Sequence, residues 1–205
     1  YIMAISKAPI LHGAKGKLDG IYIRQEFGNT ILSSMPRKRS KSSRLQRVQN
    51  SFFHIAVKCL KYVPMYAQYA YVRDGMRSPY NMCVSALVNA FHSIGVTDLT
   101  PNFLCLCNTL IGSDAVIGNG TPSDDSLSFS IGAQSDVTLT ANFVDPCTLC
   151  VWKSQDGRYG TLQVLEYQSG ESVLMLGQCK CCMVVIRRND VPVQLPSSEC
   201  VCIVP

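Results

Sequence analysis

Cysteine is the residue type with the most chemistry to offer: there are 11, nine of them after residue 100. Cys147-Thr-Leu-Cys150 has the spacing of a zinc knuckle, and Cys179-Lys-Cys-Cys182 supplies a second group. Four thiolates drawn from the two, Cys147, Cys150, Cys179 and Cys182, would hold zinc in a tetrahedron. The second group fits poorly, because it is a CxCC run in an apolar stretch with no glycine to turn it. A simpler pattern links Cys105-Leu-Cys107, Cys179-Lys-Cys181 and Cys200-Val-Cys202. A period of two on a strand places both cysteines of a pair on one face, where they act as small buried hydrophobes. Buried free thiols are therefore the leading expectation, with disulfides in a particle released from its cell and zinc as the alternatives. Eleven is odd, so complete internal pairing is excluded.

Other reactive groups do not assemble. His12 stands in a Gly/Lys segment, while His54 and His92 stand on polar helix faces, and none adjoins an acid or a nucleophile in sequence. Asp114, Asp124, Asp125, Asp136, Asp156 and Asp190 scatter without the spacing of a calcium loop. Ala14-Lys-Gly-Lys17 lacks the glycine spacing of a phosphate loop. Asn119-Gly-Thr121 matches a glycosylation acceptor, a match that means nothing without export. The expectation is a protein that is not an enzyme, with no cofactor and no small-molecule substrate.

Charge points elsewhere. Residues 1–100 carry 14 Lys/Arg against 4 Asp/Glu, and residues 101–205 carry 5 against 10, so the net +5 of the chain hides halves of opposite sign. Such polarity suits a basic end that meets nucleic acid or an acidic protein, or copies that stack end to end. Arg37, Lys38, Arg39 and Lys41 form one basic run. Arg44, Arg47, His54, Lys58 and Lys61 recur on one side of a helix over about 25 Å. The basic set Arg37, Lys38, Arg39, Lys41, Arg44, Arg47, Lys58 and Lys61 is the candidate binding surface for an acidic neighbour or nucleic acid.

The elements that position these groups fall into three parts. Residues 1–42 read as a basic arm and a β-hairpin, with Ile21–Arg24 and Thr30–Ser33 as strands and Gly28-Asn29 as the turn. The segment from His12 to Gly20 is too rich in Gly and Lys to pack. Residues 43–95 read as a helical hairpin. Ser43-Arg-Leu-Gln46 is a capping box, followed by the stripe Leu45, Val48, Phe52, Ile55, Ala56, Cys59, Leu60 and Val63. Met65–Val72 continues or restarts that helix, its tyrosines wedged against neighbours. Ser78-Pro79 starts a helix carrying Tyr80, Cys83, Val84, Leu87, Val88, Phe91 and Ile94, and Gly95 stops it. Residues 102–205 read as short strands, Phe103–Asn108 first among them, separated by turn signals. That pattern predicts an immunoglobulin-like antiparallel β-sandwich with Trp152 in its core, so the fold class is α+β. With 47% apolar residues and no apolar run near the ~20 residues that span a bilayer, a membrane helix and a signal peptide are both excluded from the expectation.

One resemblance adds to this. The Gly/Lys-rich start, the hairpin, the Pro36-Arg-Lys-Arg-Ser-Lys41 run and the following helix resemble an uncharacterised family (a domain of unknown function) of Bacteroidota and their phages. Asp74-Gly-Met-Arg-Ser-Pro-Tyr-Asn-Met-Cys-Val-Ser-Ala-Leu-Val-Asn-Ala90 is similar to that family's Ser-Pro-Tyr-Asn helix. The resemblance covers residues 8–95, and the cysteine load departs from it. It implies a fold, a lineage and a product that is not secreted, and it carries no catalytic residues. The expected role is a structural component of a tailed-phage virion, made in the host cytoplasm: head–tail connector, neck or tail ring, or capsid-associated protein. Its expected partners are copies of itself, other structural proteins and packaged DNA, with no membrane. The competing expectation is a cytoplasmic nucleic-acid-binding module.

Overall fold

The computed structural model describes residues 3–6, 15–18, 20–26, 29–34, 42–95, 99–113 and 116–205. The chain divides into two compact units, Tyr1–Arg44 and Leu45–Pro205. The first holds a four-stranded antiparallel sheet of β1 (Met3–Ser6), β2 (Gly16–Leu18), β3 (Ile21–Glu26) and β4 (Asn29–Ser34) in the order β1-β4-β3-β2. The expected hairpin is β3 with β4; its register closes at Glu26 opposite Asn29, and residues 27 and 28 lie outside the described residues. The Gly/Lys segment was not expected to pack, yet Gly16–Leu18 pairs with Ile21–Ile23. Glycine there has φ of 134°, a conformation it adopts at no steric cost.

Four helices open the second unit. They are α1 (Arg44–Lys61, entered from the first unit), α2 (Tyr66–Ala70), α3 (Pro79–Ile94) and α4 (Phe103–Gly112). α1 begins where the capping box places it. At α3 the Asn81 N–H donates to Ser78 Oγ at 3.2 Å, and Gly95 ends the helix in the left-handed region at φ 70°. α4 corrects an expectation. Phe103–Asn108 is helical, capped by Asn102, whose side chain accepts from the Cys105 N–H at 2.6 Å. The Cys105/Cys107 spacing looked like strand alternation, but α4 is buried nearly all round, and a helix buried on every side loses its amphipathic signature.

The remaining strands are β5 (Val116–Ile117), β6 (Ser126–Ile131), β7 (Asp136–Phe143), β8 (Cys147–Ser154), β9 (Thr161–Tyr167), β10 (Gly170–Gln178), β11 (Cys181–Arg188), β12 (Val191–Pro192), β13 (Leu195–Pro196) and β14 (Val201–Ile203), with the short helix α5 (Ser197–Cys200) before the last. They form a central sheet, β12-β11-β8-β9 with β14 also on β11, an outer sheet, β10-β7-β6, and a small β5–β13 pair. All named pairings are antiparallel.

Register sorts the side chains of the central sheet. Cys150 and Trp152 of β8 share a face with Met183, Val185 and Arg187 of β11, since Trp152 pairs with Met183 and Cys150 with Val185. That face meets the helices. Trp152 Nε1 donates to Pro64 O at 2.9 Å, its ring lies edge-on to Tyr66 and Tyr69, and the Arg187 guanidinium sits over Tyr69. The opposite face meets the outer sheet. Phe143 of β7 packs at a tilt against Tyr167 of β9, and Lys153 Nζ donates to Leu176 O of β10 at 3.1 Å. The body thus has three layers: helices, central sheet, outer sheet. The helices and strands expected over 43–95 and 102–205 share one hydrophobic core. β8 and β11 need cover on both faces, which a two-sheet sandwich alone would not give them. Close backbone approaches fix the loop after β5: a Cβ on Gly120 would sit 1.5 Å from Pro192 O. No helix among the described residues is long and apolar enough to cross a membrane.

Candidate functional site

The basic face of α1 forms as expected. Arg44, Arg47, His54, Lys58 and Lys61 are all exposed, and none of the five has an ion-pair partner among the described residues. Lys58 and Lys61 fall in the last turn, where they also complement the negative end of the helix dipole. Arg37, Lys38, Arg39 and Lys41 lie outside the described residues.

Beside that face runs an apolar feature; of its α1 members Leu45 and Phe53, Leu45 alone belongs to the stripe expected in the core. Leu45 is 82% exposed and Phe53 is exposed, whereas burial along α1 starts at Phe52. α1 meets α3 where Phe52 stacks on Phe91 and Gln49 accepts from His92 Nε2. Leu45 lies one turn before Gln49, in the first part of α1, where no residue is buried. Gln49 and Phe53 line one wall of a groove of about 340 Å³, and Tyr80, Val84 and Val88 of α3 line the other. Tyr80 is exposed as well, so the first member of the second stripe also misses the core.

All 11 cysteines are free thiols and buried. The four proposed zinc ligands are not brought together. Cys147 stands six residues along β8 from Lys153, the partner of Cys182, about 20 Å at ~3.3 Å per residue. Cys150 faces the helices, while Cys182 faces the outer sheet. The period-two account needs amending too. Cys105 and Cys107 lie on α4, Cys179 precedes β11, and Cys200 ends α5, so of these six only Cys181 and Cys202 stand within strands. Cys182 stands directly opposite Cys202 in register. Desolvation pushes Cys147 and Cys150 up to about 11 and Cys200 up to about 12, so these three stay protonated at neutral pH. No group of three or more His, Cys, Asp or Glu among the described residues is placed to hold a metal ion.

Two polar arrangements escape sequence reading. The Asp125 side chain is fully buried and accepts from Arg188 at 2.7 Å, from the Val144 N–H at 2.9 Å and from the Ser123 hydroxyl. It joins β11 of the central sheet to the start of β6 and the end of β7 in the outer sheet. Asp124 beside it is exposed, and nothing in Pro122-Ser-Asp-Asp125 tells the two apart. Asn119, the residue of the glycosylation pattern, spends its amide on the backbone of Val72, accepting from its N–H at 2.7 Å and donating to its O at 3.1 Å. A side chain that pairs a distant strand-like segment in this way is structural.

No protein-family model, curated protein or solved structure matches this chain. The class defined by fold and site is an α+β protein with antiparallel sheets, a basic N-terminal unit and a charged helix face.

Proposed function

We propose that the protein is a non-enzymatic assembly subunit, a virion component of a tailed phage that works through contacts with copies of itself and with other structural proteins. The observation that carries this reading is the separate unit Tyr1–Arg44. Forty-odd residues bury too little apolar surface to hold a fold without outside support. This unit spends its sequence on a four-stranded sheet and on nine Lys/Arg against two Asp/Glu. A sheet so small and so basic gains most when it rests on an acidic neighbouring subunit, and residues 101–205 carry the net −5 that would receive it.

The body suits a wall. Lettering β6, β7, β8, β9, β10, β11 and β14 as A to G gives sheets ABE and DCFG. That is the seven-strand immunoglobulin arrangement with the fourth strand moved to the opposite sheet, which supports an immunoglobulin-like reading of this region. The resemblance over residues 8–95 supplies the phage lineage.

The test is sedimentation of the full chain together with fractionation of purified particles. Sedimentation that rises with concentration, and co-purification with particles, are the expected results; a strictly monomeric chain absent from particles overturns the proposal. A second reading, a nucleic-acid-binding module, is favoured by the unpaired cations of α1. It predicts binding to duplex DNA that weakens by about one power of salt per phosphate contacted. Binding unchanged when Arg47, Lys58 and Lys61 become Ala would rule it out.

A further inference from the structure

We propose that β10 is the docking edge for a second copy of this chain, the two β10 strands pairing antiparallel about a two-fold axis through Val173. This deepens the assembly reading and rests on it. The strand is nine residues long, lies at the end of the outer sheet and, among the described residues, pairs with β7 alone. An edge strand presents half of its N–H and C=O groups outward, ready to accept another strand. Folded proteins blunt such edges with lysine, proline, a bulge or a covering element. Gly-Glu-Ser-Val-Leu-Met-Leu-Gly-Gln has no lysine and no proline, and Glu171 is its one charge. Its register shift falls between Met175 and Gly177, at the far end, so Gly170–Met175 pairs without interruption. At the opposite edge of the sheet, α5 packs beside β6.

The side chains single out the same stretch. Val173 is 61% exposed and Met175 77% exposed, the most exposed large apolar residues on any described strand. In register, Val173 continues into Thr140 and Ser128, and Met175 into Thr138 and Ser130. The outer face is therefore a field of hydroxyl groups with its apolar members gathered at one rim.

Charge and register choose the occupant. With the axis through Val173, Val173 faces Val173 of the second copy, Ser172 faces Leu174, and Glu171 faces Met175. The lone carboxylate never opposes itself. An axis through Glu171 would oppose two like charges, and an axis through Met175 would run Val173 into the bulge at Gly177. The Val173 axis covers both apolar side chains and joins two three-stranded sheets into one of six. Such an isologous contact closes as a dimer. A contact confined to one strand and its rim is small beside a standard interface, so the dimer forms with rising concentration.

The experiment is sedimentation velocity on the full chain over roughly a hundredfold range of concentration, with amide hydrogen exchange read over Gly170–Met175. The expected result is a monomer–dimer transition, with alternate amides of this stretch gaining protection as dimer forms. Val173→Lys should abolish the dimer while leaving the thermal midpoint unchanged, because the site is exposed. Val173→Glu should do the same, and mixing the two variants should restore a dimer, since position 173 opposes itself. A Val173→Lys chain that dimerises like the wild type, or a mixture that stays monomeric, overturns the β10 interface and leaves the assembly reading standing. A wild-type chain that is monomeric throughout overturns the interface, and its absence from particles as well would remove the assembly reading.

Discussion

The central and outer sheets of the body are both antiparallel and of similar strand length, yet they obey different rules. In β8 and β11 burial is nearly continuous: six of the eight residues of each are buried. In β7 it alternates, with Val137, Leu139, Ala141 and Phe143 inward and the residues between them partly or fully exposed. The reason is what lies outside. Helices cover the far face of the central sheet, and nothing among the described residues covers the far face of the outer one. An antiparallel strand buried on both faces reads as an apolar run, and one buried on a single face reads as an alternation. The central sheet holds the body together; the outer sheet is where a partner can add.

The largest expected effect comes from cutting the central sheet away from its helices. Trp152 is fully buried, anchors to Pro64 O and packs against two tyrosines. Trp152→Ala should cost about 3–5 kcal/mol, read as a fall of roughly 10 °C or more in the thermal midpoint for a body of this size. A loss no greater than for an outer-face substitution would mean that the helices do not stabilise that face.

The seam between the sheets comes next. Asp125→Ala leaves the Arg188 guanidinium, 22% exposed, without its carboxylate, and leaves the Val144 N–H unpaired. A cost of about 2–3 kcal/mol follows. In the Arg188→Met background the same change should cost clearly less, because the charge left stranded is gone. Equal costs in both backgrounds would show that the two residues act independently. Asp145, 3.8 Å from the same guanidinium and exposed, is too solvated to replace Asp125.

How much of this the sequence disclosed follows from the same contrast. β7 alternates and was legible to within a residue or two, as were α1 and α3, whose caps and stripes are local. The β3–β4 hairpin was legible for the same reason. α4 was not: Phe-Leu-Cys-Leu-Cys is apolar on every side, and a short apolar run does not distinguish strand from buried helix. Leu45 shows the converse, since it keeps the helical period yet is exposed, burial along α1 starting only at Phe52. Of the candidate site, the cations of α1 were visible because exposure follows from charge. The groove beside them was not, because it exists only where α1 meets α3. The Asp125–Arg188 pair joins positions 63 apart and leaves no local trace. The zinc set failed for the opposite reason: spacing along the chain is local, and strands send neighbouring cysteines to opposite faces.

The smallest expected effect is also the sharpest comparison, because one substitution can be made in both sheets. Ser128 stands on the outer face of β6, exposed, opposite Thr140. Ser128→Thr adds a β-branched methyl group that meets only solvent and its cross-strand neighbour, and should stabilise by a few tenths of a kcal/mol. Ser154 ends β8 and is buried. Its hydroxyl donates to Asp156 Oδ1 at 3.0 Å and accepts from the Gly157 N–H at 3.0 Å. Ser154→Thr forces the same methyl group into a filled site where the side-chain rotamer is already fixed by two hydrogen bonds, and should destabilise by about 1–2 kcal/mol. Thermal midpoints of the two variants, measured side by side, should move in opposite directions. Shifts of the same sign would mean that the two sheets do not differ in cover as described, and the outer face would then have to be as closely packed as the inner one.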